Sequence, residues 1–270
     1  MRRLAANAWI GVALVGGFVA IALLALVWTP ADPLALNLRA RFRPPGGPFV
    51  LGSDEFGRDV LSRAMAGAAT SLWIAAASVA LALALGVAAG LLAGFARGVA
   101  DRVLMVANDA LLAFPGILLA LAVMVVVGAS PASLVLALGL AYAPSVVRVV
   151  RGVVLSLRER EFVEASRVIG NGAAYTVLRH VLPNCVAPVA VLATSMLGFV
   201  LLSESALSFL GLGVPPPAPT WGNMLAAARP HLLSAPWLGL VPGICIALTL
   251  LGFNLLGDAL RDWLDPRMER

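Results

Sequence analysis

The sequence predicts an all-α membrane protein with six transmembrane helices and both termini in the cytoplasm. Three observations carry this. Hydrophobic residues make up 61% of the 270 residues and charged residues only 12%, against about 45–50% and about 25% in soluble domains. Long tracts lack any charge, and mean hydropathy is +0.96. The basic residues also divide unevenly between the inferred loops. A disordered chain, a disulfide framework and a soluble enzyme are excluded on these grounds.

Spans follow from the uncharged tracts, each near the ~20 residues a bilayer needs. Trp9 to Trp28 is the first. Arg2-Arg3 resembles a signal-peptide n-region, but the apolar run is too long and Val27-Trp28-Thr29-Pro30 is a poor cleavage site. The segment therefore reads as an uncleaved helix. Residues 64–96 hold the second span, with its apolar core from Leu72 to Ala96. Residues 110–147 are too long for one span, and Gly128-Ala129-Ser130-Pro131 divides them into a third and a fourth. The fifth runs from Val186 to Leu202 and the sixth from Trp237 to Gly257.

With the N-terminus inside, the inner side receives Arg2, Arg3, Arg97, Arg102, Arg148, Arg151, Arg158, Arg160, Arg167, Arg179, Arg261, Arg267 and Arg270. The outer side receives Arg39, Arg41, Arg43, Arg58, Arg63 and Arg229. This imbalance sets the orientation and accounts for the net charge of +5 without nucleic acid. All six tryptophans fall near inferred span ends, as an interfacial belt would place them.

All 19 basic residues are arginine. A chain without lysine has no P-loop and no Schiff-base lysine. It cannot split ATP through a Walker motif of its own. Cys185 and Cys245 lie in apolar surroundings and read as buried hydrophobes. His180 and His231 stand alone on opposite sides of the membrane, so no metal site or cofactor is expected. No His-Glu-x-x-His, Gly-x-Ser-x-Gly, Cys-x-x-Cys or Gly-x-Gly-x-x-Gly pattern occurs.

Two loops are long, 29–69 outside and 151–184 inside. In the outer loop Ser53 or Asp54 can cap a helix. Phe56, Val60, Leu61, Ala64 and Met65 would give that helix an apolar face in the outer interface. Gly86, Gly90, Gly94 and Gly98 recur every four residues in the second span, a stripe suited to close helix packing. Pro215-Pro216-Pro217 and Pro219 stiffen the last outer loop, and Asp258 to Asp265 reads as a short inner-surface helix closed by Pro266.

The inner loop is the most patterned segment. Arg158 to Ile169 reads as one helix, braced by Glu164 against Arg160 and Arg167. Gly170-Asn171-Gly172 breaks it, and Ala173 to Leu182 reads as a second helix ended by Pro183. A plain connection would be shorter. An elbow charged on one side and apolar on the other suits a membrane protein that receives force from a soluble partner. Inside the spans, Asp109 and Glu204 are candidates for contact with a translocation path, or for helix–helix hydrogen bonds.

The sequence Glu164-Ala165-Ser166, then Gly170, then Leu182-Pro183 resembles the EAA loop of ABC-type importer permeases. Leu51 to Arg63, Asp109 with Ala113-Phe114-Pro115, and Arg179 to Asn184 are similar to the dipeptide/oligopeptide/nickel branch. So are Leu207 to Gly213, Pro217 to Leu225, and Phe253 to Pro266. The likeness runs from about residue 50 to the end and points to the subunit carrying the extra outer segment. Ser166 stands in place of the usual second alanine, and Asn171-Gly172 makes the turn looser.

The resemblance implies a type I importer transmembrane domain. Residues 1–66 would form the first helix and outer loop, 67–260 the permease core with a coupling loop at 152–184, and 261–270 an inner tail. It also implies a homologous permease, two cytoplasmic ATPase subunits and an extracytoplasmic substrate-binding protein as partners, in a bacterial inner membrane. Arg160, Glu161, Glu164, Ala165, Ser166, Arg167, Gly170, Arg179, His180 and Pro183 would form the ATPase-coupling surface. Peptide is the leading cargo, with nickel, glutathione or another small solute as the alternative. A secondary carrier is the distant rival. It would show an inverted repeat and several intramembrane ionisable groups, and the sequence displays neither.

Overall fold

The computed structural model describes residues 2–96 and 98–264, with side chains from Asn7 onward. Arg97, Asp265, Pro266, Arg267 and Arg270, and the side chains of Arg2 and Arg3, lie outside the described residues. The described residues form ten α-helices: α1 (Arg2–Ala25), α2 (Val60–Ala96), α3 (Gly98–Leu112), α4 (Gly116–Val127), α5 (Pro131–Leu157), α6 (Glu161–Val168), α7 (Ala173–Thr176), α8 (Leu182–Phe209), α9 (Trp221–Ala228) and α10 (Trp237–Leu264). Among them, five segments are long and apolar enough to cross a membrane, or six when α3 and α4 count as one bent span.

The core is the seam between α2 and α5. Both helices repeat every four residues, so small and branched positions meet in register. A Cβ on Gly86 would overlap Val146, one on Gly90 would lie 2.7 Å from the Cβ of Val150, and one on Gly94 2.6 Å from that of Val154. Glycine alone allows this approach, and the exposed seam surface is replaced by dense van der Waals contact. Gly98, the fourth of the stripe, has φ +67° and turns the chain from α2 into α3 instead.

The other helices build outward from this pair. The α1 helix packs on α10, with Gly11 closing on Gly252 and Leu256, and it is otherwise largely uncovered. Gly198 and Gly257 let α8 and α10 meet. Ser130 and Ser133 cap α5 reciprocally, so the predicted break at Gly128 to Pro131 is a short turn.

The structure departs from the expectations at several points and adds a bend that the span boundaries did not specify. The third span is bent: α3 and α4 meet at 91° across Ala113-Phe114-Pro115, where Pro115 forces extended backbone and removes an N–H. The outer segment before α2 is not an interfacial helix. Gly52 (φ +83°) and Gly57 (φ +73°) fold residues 51–59 into tight turns. The cap of α2 is Asp59, whose carboxylate accepts from the Ser62 N–H at 2.8 Å and the Ser62 hydroxyl at 2.6 Å. Val60, Ala64 and Met65 are then buried in the first turns of α2 rather than laid on a membrane surface.

Pro183 does not end the elbow's second half. A wide turn at Val177–Val181, with Leu182 N–H donating to Val177 O, carries the chain straight into α8. Proline sits in the first turn of α8, where its missing N–H costs little. Likewise the tail from Asp258 to Leu264 continues α10.

The tryptophans divide. Trp9, Trp28, Trp73 and Trp263 are exposed on the bundle surface. Trp221 is fully buried and donates its indole N–H to Ala64 O at 3.0 Å, with Phe18 edge-on at 5.5 Å. Trp237 donates to Ser53 O at 3.2 Å. These two lock α9 and the outer loop to the bundle rather than marking an interface.

Candidate functional site: the inner elbow and the charged groups of the spans

The elbow is a rigid projection from one end of the bundle. Arg158 closes α5 and reaches back to donate to Gly94 O at 2.8 Å, tying the elbow's root to the end of α2. Arg160, in extended backbone, precedes α6. Ile169 N–H donates to Ala165 O, Gly170 N–H to Arg167 O and Asn171 N–H to Ser166 O. Gly170 sits at φ +93°, the left-handed position that ends a helix and that a side chain resists. The chain then reverses into α7.

Of the residues expected on the coupling surface, Glu161, Glu164, Ala165 and Gly170 are exposed on the outer side of the elbow, as are Arg160 and Arg179. Pro183 is exposed beside the root of α8. Ser166 faces inward. It is buried, its hydroxyl lies 3.0 Å from that of Thr176, and it accepts from Asn171 Nδ2 at 3.2 Å. With buried Val163 and Thr176 it is the pin of the turn.

The bracing expected of Glu164 is absent among the described residues. Arg160 lies in the extended approach to α6, and Arg167 lays its guanidinium over the Phe95 ring of α2 at 5.1 Å. That cation–π contact gives the elbow a second tie to α2. His180 is half-buried between the rings of Phe162 and Tyr175, at 6.4 and 5.8 Å. Sequence reasoning passed over Val168 and Ile169. They are 81% and 79% exposed at the elbow's tip. Two adjacent branched apolar residues directly before a helix-ending Gly were the available signal.

Asp109 and Arg148 form an ion pair at 2.8 Å between α3 and α5, and each side chain is more than half exposed on this chain. Nearer the elbow in α5, Arg151 donates to Asp101 through Nε at 2.6 Å and Nη2 at 2.8 Å. The two pairs hold the bent α3 across α5.

Glu204 occupies the opposite situation. It has no exposure. Its carboxylate accepts from Ser208 Oγ at 2.8 Å and Ser205 Oγ at 3.3 Å, and the hydroxyls of Ser71 and Thr220 also close on it. Those groups come from α8, α2 and the cap of α9. Among the described residues Glu204 is fully enclosed and ties helices together. Adjacent Ser203 shares a hydrogen bond with Tyr142 of α5 at 2.7 Å.

Comparison with known proteins gives a consistent picture. Residues 86–270 match the family described as binding-protein-dependent transport system inner membrane component. A putative peptide transport system permease protein of Brucella suis biovar 1 is 42% identical over 260 residues, 96% of this chain and 88% of its own length. The dipeptide transport system permease protein DppC of Alkalihalophilus pseudofirmus is 39% identical over 260 residues, covering 96% and 86%. The glutathione transport system permease protein GsiD of Shigella flexneri serotype 5b is 46% identical over 218 residues, covering 81% and 72%. Among solved structures, one of the MetNI methionine ABC transporter in inward-facing conformations aligns with a TM-score of 0.58 at 20% identity. That alignment spans 74% of this chain and 94% of the other, and it shows a shared fold.

Proposed function

The chain belongs to the family of binding-protein-dependent transport system inner membrane components, and from that premise we propose that it forms half of a peptide path and couples it to ATP hydrolysis through the elbow. It is a transport subunit and not an enzyme, a multi-pass inner-membrane permease of an ABC importer for peptides. Membership implies, in general terms, a partner permease, ATPase subunits and a substrate-binding protein. The finer reading is a homologous permease beside this chain, two ATPases on the inner side and a binding protein on the outer side. Both termini lie in the cytoplasm, and no nucleic acid takes part.

One observation carries the coupling role: an apolar tip, Val168 and Ile169, exposed on a stiff scaffold at the end of the bundle. Seating two such side chains in a groove is favourable by about 1.5–3 kcal/mol each. Glu161, Glu164, Ala165 and Gly170 supply the surrounding contact, and Arg160 and Arg179 flank it. The force then has a defined route. Arg158 on Gly94 O and Arg167 on Phe95 join the elbow to α2, and α2 moves with α5 through the glycine–valine seam. The wide turn at 177–181 joins the elbow to α8 without a break. When the ATPases close on ATP, the elbow and these three helices shift together, and the path changes the side to which it opens. In this reading Asp109 and Arg148, an ion pair exposed on this chain, border that path.

The test is purification of the tagged chain in mild detergent, with mass spectrometry of what accompanies it. Recovery of a second permease, an ATPase and a binding protein supports the importer. The recovered binding protein is then titrated with di- and oligopeptides, glutathione and nickel to decide the cargo. Stable recovery of this chain alone would favour a secondary carrier.

A further inference from the structure

We infer that Arg39, Arg41 and Arg43 form a preformed basic ridge on which an acidic surface of the extracytoplasmic binding protein docks. The inference rests on the importer reading and on the orientation that goes with it. Within residues 37–43, Ala40 is buried and Phe42 half-buried, while Leu38, Arg39, Arg41 and Arg43 are exposed. Phe42 holds the strip inward by packing on the His231 ring, at 4.7 Å between centroids, with its backbone at φ +52°. Three arginines within five residues are thus exposed around buried Ala40 and half-buried Phe42.

The ridge is rigid. Asn37 N–H donates to Phe56 O at 3.0 Å, Phe42 N–H to Asp54 O at 3.2 Å and Ser53 N–H to Arg43 O at 2.9 Å. Ser53 Oγ accepts from Arg43 N–H at 2.8 Å and donates to Ala40 O. Any side chain on Gly57 would strike Asn37 O. Segment 53–59 is braced within itself by Asp54 on Arg58 at 2.6 Å, and anchored by Asp54 to Arg63 of α2 at 3.4 Å and by Ser53 O to Trp237 of α10. A contact surface built this way loses little conformational entropy on binding.

Arg41 rests its guanidinium over the Phe42 ring at 5.6 Å, but no carboxylate among the described residues neutralises the three arginines. Every carboxylate of the outer segment is already engaged: Asp32 accepts from Leu34 N–H, Asp54 and Glu55 hold Arg58, and Asp59 holds Ser62. The ridge lies at the Val60 end of α2, whereas the elbow is tied to Gly94 near the other end. A helix of 37 residues separates them by ~55 Å. Three neighbouring arginines on the side opposite the ATPases run against the bias that orients membrane proteins, so their placement needs a reason beyond topology. A protein arriving from that side with an acidic face supplies one, and complementary charge of this kind steers encounter and sets register. Because the ridge is bonded to the starts of both α2 and α10, a docked protein would bear directly on the bundle.

The test uses the assembled complex, both permeases with both ATPases, in phosphatidylcholine vesicles. The probe is the peptide-loaded binding protein that co-purifies with it, and ATP hydrolysis is read against binding-protein concentration at several NaCl concentrations. In the R39Q/R41Q/R43Q variant the half-saturating concentration should rise roughly tenfold or more. Its salt dependence should flatten, and the maximal stimulated rate should return at high binding-protein concentration. Should the triple variant fail to assemble, the three single Arg→Gln variants are read for the same loss of salt dependence. Unchanged half-saturation and salt dependence would overturn the ridge. So would an effect that occurs only when phosphatidylglycerol is present, which would make the ridge a lipid contact. A wild-type complex that no binding protein stimulates would remove the importer reading itself, and the ridge with it.

Discussion

Replacing Gly90 by alanine adds one methyl group in the middle of the seam between α2 and α5. The new Cβ would stand 2.7 Å from the Cβ of Val150, 2.9 Å from its Cγ1 and 3.0 Å from Val147 O. Carbon atoms rest about 3.5–4.0 Å apart, so α2 and α5 must part by roughly 1 Å there. A gap of that size forfeits about a quarter to a half of each contact it opens, and overpacking of a dense core costs about 1–3 kcal/mol. Alanine returns up to ~1 kcal/mol through its better helix propensity. The net expectation is a loss of about 1–2 kcal/mol. The assay is thermal unfolding of the purified chain in a single detergent, with parent, Gly90→Ala, Val150→Gly (which removes the opposing Cβ) and the double variant compared. The double variant should recover stability that the Gly90→Ala change alone removed, an interaction of ~1 kcal/mol or more. Gly16→Ala is the control, because no atom lies within 4 Å of its added methyl group. A Gly90→Ala protein as stable as its parent would refute the seam, and so would strict additivity in the cycle.

Three further outcomes are expected. Glu204→Ala should destabilise by about 3 kcal/mol or more, because it strands buried hydroxyls on three helices. Glu204→Gln should cost less, and chemical denaturation of the two variants decides the order. Trp221→Phe removes the bond to Ala64 O and also part of a fully buried indole, leaving a cavity beside Phe18 and Gly67. It should cost about 2–4 kcal/mol, read as a lowered melting midpoint. Gly170→Val places a branched side chain at φ +93° on the elbow's outer face. ATP hydrolysis by the reconstituted complex should persist while peptide uptake falls, and uptake at the parental ratio would remove Gly170 from the coupling surface.

Much of the architecture was legible in the residues because a bilayer imposes simple demands. Charge-free length, the break at Gly128 to Pro131 and the four-residue glycine period all follow from helix geometry and the cost of polar groups in lipid. The elbow was legible for a related reason: Gly170 marks a reversal that few other residues permit. The ion pairs of the elbow were not. Spacing allowed Glu164 to meet Arg160 and Arg167, yet Arg167 found the Phe95 ring and Arg160 lay outside the helix. Spacing lists partners on one helix, and the competing partner came from α2. Glu204 was open between a path and a helix contact for the same reason, since Ser71 and Thr220 lie far from it in the chain.

The sequence alone therefore determined the solvent this protein lives in, the number and rough place of its spans, its family, and the loop that sets its fold apart from a self-powered carrier. These are local properties: hydropathy, charge and the backbone freedom of single residues. Tertiary structure decided where two tryptophans leave the membrane surface to brace loops, where the third span bends, and which serine faces inward. It also decided which carboxylate is enclosed and which arginines remain unpaired. Those outcomes depend on groups tens or hundreds of positions apart competing for the same hydrogen bond or the same space, and only the folded chain brings the competitors together.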